Sequence, residues 1–327
     1  MEIFGTLGPA CSDEKTIYEM MRQGMTGMRI NLSHTDLAGG NSLIDSFTVA
    51  RASSGGGCDL LIDLQGPELR IGKIAHALSL QDGDEAKIPV PSTLASLLVP
   101  GQTVLLDDGK LSARVLSVER HMDDPAKPRY DAVVHILRGG LLKGSKSLKI
   151  EGMDTDLPTL TSRDKRNLAV ASDLGVTTVM LPFVRGADDI KALRENIGDR
   201  FRIFAKIENM VGVEHVDEII AELDHDRDML VIARGDLGNN MPLWELPRIQ
   251  KQLEAACHKS DMPYMIVTEL LASMVQNPAP TRAEVSDVYH AIYHGASAIM
   301  VTNETAEGKY PVDVIRYMKN IADTLKE

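Results

Sequence analysis

The chain has 327 residues, 43% of them hydrophobic and 25% charged, and a net charge of −12. That composition rules out wholesale disorder, and the acidic balance argues against a general nucleic-acid or acidic-membrane coat. Only 4% of residues are aromatic and Trp244 is the sole Trp, which argues against a stacking platform for single-stranded nucleic acid. An anionic substrate stays compatible, provided its site supplies local positive charge or a metal.

Eight short apolar runs recur along the chain: Ile3–Thr6, Gly27–Asn31, Asp59–Asp63, Thr177–Pro182, Arg202–Ile207, Asp228–Arg234, Tyr264–Thr268 and Ala298–Thr302. They are nearly continuous rather than alternating, as buried parallel strands should be. Amphipathic stretches of helical length lie between most of them: Asp13–Gln23, Ser162–Asp173, Asp188–Asn196, Trp244–Ser260, Arg282–His294 and Val312–Leu325. Asp13 and Ser162 read as N-caps, and Pro311 suits a first helical turn. Eight parallel strands alternating with helices predict an α/β fold, the (β/α)8 TIM barrel.

The gap between the third and fourth runs is too long for one helix. It holds short Val/Leu runs and the turn signals Asp82-Gly83-Asp84, Asp107-Asp108-Gly109 and Gly139-Gly140, and Asp-Gly between apolar runs is a hairpin signal. Residues 71–155 therefore read as a small β-barrel-like domain inserted after the third strand. Residues 1–70 and 156–327 then form a barrel near the roughly 250 residues usual for this fold. Cys11, Cys58 and Cys257 stand far apart without metal-ligand spacing and read as thiols in a reducing compartment. The N-terminus lacks signal-peptide character, and no apolar run nears the roughly 20 residues that span a bilayer. A cytoplasmic location is expected.

Chemistry in such barrels lies at the C-terminal strand ends. There this chain places Arg29, Asn31, Ser33, His34, Asp63, Lys206, Glu208, Asp236, Thr268, Glu269 and Glu304. Glu208 and Asp236 end neighbouring strands, and two carboxylates with open positions suit Mg²⁺ or Mn²⁺. Lys206 and Glu208 alternate, so both can face one pocket, where a lysine beside a metal could balance a phosphoryl group in flight. Gly235 lets the chain approach a ligand closely. Asn31, Ser33 and Asp63 offer hard oxygens for a monovalent cation. A Lys-x-Glu pair alone is usually a solvated face or a salt bridge. Convergence on successive buried strand ends, where packing does not ask for charge, is what points to a site.

These residues resemble the pyruvate kinase family. The resemblance rests on Thr6-Leu7-Gly8-Pro9-Ala10, Met28-Arg29-Ile30-Asn31-Leu32-Ser33-His34, Gly66-Pro67-Glu68-Leu69-Arg70, Lys206-Ile207-Glu208-Asn209, Ala233-Arg234-Gly235-Asp236-Leu237-Gly238, Pro280-Thr281-Arg282-Ala283-Glu284 and Glu304-Thr305-Ala306, in order along almost the whole chain. It implies phosphoryl transfer from phosphoenolpyruvate to ADP, giving pyruvate and ATP. Catalytic roles would fall to Lys206, Arg29, Arg70 and Thr268. Gly235, Asp236 and Thr268 would bind substrate together with Arg29 and Lys206, and Thr268 would lie near the proton relay to the enolate carbon. Glu208 and Asp236 would hold Mg²⁺. Asn31, Ser33, Asp63 and the carbonyl of Leu64 would hold K⁺, with Glu68 the residue type that accompanies potassium dependence. His34, Asn31, Arg163 and Thr302 would face the nucleotide, and the insert would act as a lid.

The sequence also departs from the family pattern. Asp63-Leu64-Gln65 stands for Asp-Thr-Lys, Pro182 for a nucleotide-side Ser, and Arg163 for a Lys. Glu269 stands for a Gln, and Thr302-Asn303 for Ser-Gly. These changes cluster toward the nucleotide and the substrate rim. The chain ends one helix after the eighth strand, so the family's C-terminal effector domain, and its allostery, are expected to be absent. A homo-oligomer is expected, a dimer through barrel helices being favoured. Two other readings stay open: a metal-dependent enzyme acting on another phosphorylated or 2-oxo acid through an enolate, and a non-catalytic metabolite sensor.

Overall fold

The computed structural model of the chain describes residues 1–37, 41–107, 109–122, 128–151, 157–239 and 241–326. It contains two compact units: Met1–Gly66 with Pro158–Glu327, and Pro67–Leu157.

The first unit is a closed barrel of eight parallel strands: β1 (Glu2–Thr6), β2 (Gly27–Asn31), β3 (Asp59–Asp63), β4 (Thr178–Leu181), β5 (Arg202–Ile207), β6 (Met229–Ala233), β7 (Tyr264–Val267) and β8 (Ala298–Met300). β8 returns to β1 through the pairs Glu2↔Ala298, Ile3↔Ile299 and Phe4↔Met300. The expected (β/α)8 fold is therefore observed, with three strand boundaries matching the sequence reading and the others shorter or longer by one or two residues.

Period-two alternation sorts the strand residues. One set, including Phe4, Leu61, Met180, Phe204, Met265 and Met300, forms a separate buried cluster. Phe4 and Phe204 meet edge to face at 5.8 Å. The alternate set, including Ile3, Ile30, Ile62, Val179 and Ile203, belongs to the larger core with the helices. Gly27 stands opposite Phe4, and a Cβ there would lie 2.1 Å from the Phe4 ring. The aromatic ring of one strand thus dictates glycine on the next.

The helix Glu14–Arg22 is capped by Asp13, which accepts from the Thr16 N–H at 2.9 Å, and Pro311 opens the helix Pro311–Asp323. The helix Ser162–Ala171 corrects the expected cap. Thr161, not Ser162, is the N-cap, because Asp164 three residues on closes a reciprocal capping box with it. The helix Ser42–Ser53, capped by Asn41, was not expected from the sequence.

The second unit has its own core, with Ile88, Val104, Leu106, Val115, Val134 and Ile136 among its members. Its five-stranded antiparallel sheet runs in the order Leu148–Ile150, Thr103–Leu106, Leu111–His121, Arg129–Arg138 and Glu85–Val90. A two-stranded ribbon joins Leu78–Leu80 to Gly140–Leu142. Of the three turn signals, only Asp107-Asp108-Gly109 joins paired strands, Asp108 itself lying outside the described residues. Asp82-Gly83 and Gly139-Gly140 instead carry the chain between the sheet and the ribbon, the Gly139 N–H donating to Asp82 Oδ1 at 2.7 Å.

All three cysteines are free and buried, and burial pushes each thiol pKa up, that of Cys11 to about 11. Among the described residues no helix is long and apolar enough to cross a membrane.

Candidate active site

Alternation aims the polar ends of β2, β3 and β5 to the same side as the inner apolar cluster. Arg29 follows Gly27, Asp63 follows Leu61, and Lys206 and Glu208 follow Phe204. Asp63 is the hub, with its side chain 2% exposed. Its Oδ2 accepts from Arg29 Nε at 2.9 Å and Nη2 at 2.5 Å. Lys206 Nζ stands 3.1 Å from its Oδ1 and donates to Oδ2 at 3.2 Å. The same ammonium lies 2.8 Å from Glu208 Oε1, while Glu208 Oε2 accepts from the Phe183 N–H at 2.7 Å. Arg29 Nη1 also reaches Thr6 Oγ1 at 3.4 Å.

The titration behaviour follows from this crowding. Burial alone would raise the Asp63 carboxyl, but Lys206 and Arg29 overcome it and hold it below the ordinary carboxylate range. Burial alone would lower the Lys206 ammonium, but Asp63 and Glu208 hold it above its usual value. Glu208 is pushed up, chiefly by burial and further by Asp236, against the pull of Lys206. A carboxyl held high beside a second carboxylate is the situation a divalent cation relieves.

Asp236 lies on the short helix Arg234–Gly238 that leaves β6, close enough to act on both Lys206 and Glu208. The neighbouring Gly235 N–H donates to Thr268 Oγ1 at 2.8 Å. Thr268 in turn donates to the Val267 carbonyl at 2.6 Å. Thr268 and Glu269 both have positive φ, +72° and +54°.

The other expected residues are tied up locally. Asn31 Oδ1 accepts from the Ser33 N–H at 3.0 Å, and the Leu64 N–H donates to the Met180 carbonyl at 3.1 Å. His34 is exposed at the end of the same turn. Arg163 spreads its guanidinium over Asp36 Oδ1 at 2.7 Å, Gln65 Oε1 at 2.5 Å and the Thr35 carbonyl at 3.0 Å. The Thr302 N–H donates to Glu304 Oε2 at 2.8 Å. Arg70 belongs to the second unit, where it pairs with Glu68 at 2.6 Å and donates to the Ser145 carbonyl at 2.9 Å.

The sequence reading missed Thr6, whose hydroxyl donates to the Val301 carbonyl at 2.9 Å beneath Arg29. Its signal was available, because Thr6 ends β1 just as the others end their strands. It also missed the anchoring of Thr268 by Arg234, which no spacing rule announces.

Known proteins share this chain's pattern. A family model described as pyruvate kinase, barrel domain, matches residues 1–315. The pyruvate kinase of Aeropyrum pernix is 36% identical over 334 residues, covering 98% of this chain and 70% of its own. That of Mycobacterium intracellulare is 33% identical over 337 residues, covering 98% and 69%. That of Agrobacterium vitis is 34% identical over 337 residues, covering 98% and 67%.

Proposed function

The chain belongs to the pyruvate kinase family, and on that premise we propose that it transfers the phosphoryl group of phosphoenolpyruvate to ADP. The bond from phosphorus to the enol oxygen breaks and a bond to the terminal oxygen of ADP forms. The enolate left behind takes a proton at its methylene carbon to become pyruvate. The observation that carries this reading is the buried Arg29–Asp63–Lys206–Glu208 chain at the strand ends. Two cations fixed by one carboxylate are preorganised for a migrating anionic group and need no rearrangement as charge develops.

Glu208 and Asp236 suit a divalent metal by chemistry and by electrostatics. Among the described residues no group of three or more His, Cys, Asp or Glu side chains could hold an ion. Mg²⁺ or Mn²⁺ would therefore rest on these two carboxylates and on oxygens brought by substrate and water. Bound there, it would neutralise charge on phosphoryl and enolate oxygens. The donor set Asn31, Ser33, Asp63 and the Leu64 carbonyl suits K⁺: Asp63 Oδ1 is buried and has no hydrogen-bond partner among the described residues, only the ion-pair contact with Lys206. Gly235, Asp236 and Thr268 would take the substrate carboxylate. His34, Asn31, Arg163 and Thr302 would face the nucleotide, and Arg70 would assist in catalysis. The exposed Leu243, Trp244, Tyr289 and Tyr293, on and beside the helices Leu246–Lys259 and Arg282–Tyr293, support a homodimer through barrel helices.

One observation favours a second reading. Arg163 and Thr302 are engaged within the protein, which suits an enolate enzyme that does without ADP. The deciding experiment is pyruvate release from phosphoenolpyruvate with Mg²⁺, with and without ADP, for the wild type and Lys206→Met. Release that requires ADP and vanishes in the variant supports the kinase. Release without ADP supports the second reading, and release undiminished in Lys206→Met overturns the proposed role of the site.

A further inference from the structure

We propose that Arg234 and Asp287 form a clasp that positions Thr268 for the reaction, a role separate from any contact with substrate. The inference rests on the reading above in one respect, that Thr268 faces the substrate. Arg234 is buried, with 9% of its surface exposed. Its Nη2 donates to the carbonyls of Thr268 at 2.9 Å and Glu269 at 3.3 Å. On the other side its guanidinium meets Asp287 of the helix Arg282–Tyr293, through Nη1 to Oδ1 and Nη2 to Oδ2, both at 2.8 Å.

The two residues whose carbonyls are held are those with positive φ. A β-branched residue in the left-handed region is strained and persists only where its surroundings over-determine it. Here the surroundings are two successive residues of one turn. Arg234 grips the backbone of Thr268–Glu269, and the next residue, Gly235, donates its N–H to the Thr268 hydroxyl. A Cβ at 235 would lie 3.2 Å from Thr268 Oγ1 and would press on that hydroxyl.

The clasp has features of an arrangement kept for position. Arg234 Nε is buried and finds no hydrogen-bond partner among the described residues, so the guanidinium is placed for its other contacts at the expense of one donor. The planar fork is what allows one side chain to span two carbonyls and a carboxylate, which a lysine ammonium cannot do with fixed geometry. Without Asp287 the fork loses its orienting partner, and the strained turn is free to relax toward an ordinary φ. The Thr268 hydroxyl would then leave the Gly235 N–H.

The test is Asp287→Ala in the full-length protein. The Asp287 side chain is 37% exposed, so folding should tolerate the change, with Asp287→Glu as the conservative rescue. Hydrogen–deuterium exchange of residues 266–272 is expected to accelerate in Asp287→Ala and to return toward wild type in Asp287→Glu. kcat/KM for phosphoenolpyruvate is expected to fall roughly 10- to 100-fold, the usual size of an ångström-scale misplacement, while KM for ADP stays unchanged. In a Thr268→Ala background the same substitution should cost little more, because its effect passes through the lost hydroxyl. Unchanged exchange in Asp287→Ala, or losses that add fully in the double variant, would overturn the clasp. A wild type that makes no pyruvate would overturn the kinase reading instead, and the exchange measurement would still decide the clasp.

Discussion

Asp63→Ala isolates the feature on which the candidate site most depends, one buried carboxylate shared by two cations. Removing it leaves Arg29 and Lys206 facing one another, with side chains 10% and 11% exposed, and Lys206 offset by Glu208 and, more weakly, by Asp236. Breaking a buried pair by deleting one partner costs about 3–5 kcal/mol, because the charge left behind is uncompensated. Asp63 serves two cations at 2.5–3.2 Å, which places it at the upper end. At roughly 2–4 °C per kcal/mol for a unit of this size, the melting temperature should fall by about 10–20 °C. The sign of a second substitution is more diagnostic. Asp63→Ala/Lys206→Met should be more stable than Asp63→Ala alone, since it also removes a stranded charge. Thermal melts by circular dichroism read both. A melting temperature within about 2 °C of wild type for Asp63→Ala would refute the reasoning, as would a double variant less stable than either single one. The pH dependence has a definite sign. The folded Asp63 carboxyl is held below its ordinary value, so its contribution is present above the usual carboxylate range near ~4 and fades as pH falls through the folded value. Asp63→Asn should therefore flatten the acid limb of the stability curve.

Three further outcomes are expected. Burial and the nearby Asp236 push the Glu208 carboxyl up, so a proton and a metal compete for it. Mg²⁺ should then bind more tightly as pH rises from 6 to 8 and release a proton, read by calorimetry in buffers of different ionisation enthalpy. Pyruvate formation by Lys206→Met should fall by at least about 10²-fold with an unchanged circular dichroism spectrum. Gly27→Ala should cost about 1–3 kcal/mol through its clash with the Phe4 ring, and Phe4→Leu should restore part of that loss in urea titration.

Much of the barrel is legible in the chain because buried parallel strands write continuous apolar runs. Gly27–Asn31, Asp59–Asp63 and Arg202–Ile207 match the observed strands at both ends. The helix Ser42–Ser53 is not legible in this way. Its apolar residues fall on more than one side, Val49 being half exposed, and Ser and Thr weaken its propensity. The cap at Thr161 could have been read from Asp164 at the third helical position, had the capping box outweighed the nearer Ser162. In the second unit Asp-Gly pairs report turns but not which strands pair across them.

At the site, the strand ends reveal which residues gather but not how they pair. That Asp63 serves both Arg29 and Lys206, the latter 143 positions away, follows from the register β2–β3–β4–β5, which no local pattern encodes. The Arg163–Gln65 contact has the same origin. Two departures from the family pattern, noted separately in the sequence, become hydrogen-bonded neighbours once the chain folds. The proposed clasp on Thr268 depends on backbone dihedrals, which side-chain identity does not announce when the residues are Thr and Glu rather than Gly.

The most direct measurement is ³¹P NMR of phosphoenolpyruvate and ADP mixed with the protein, with and without Mg²⁺ and with and without K⁺. The proposed function predicts that the phosphoenolpyruvate signal decays only with Mg²⁺ and ADP present, faster with K⁺, as the three ATP resonances grow in equal measure. Decay into inorganic phosphate, or no decay while Mg²⁺ and phosphoenolpyruvate remain bound, would contradict it.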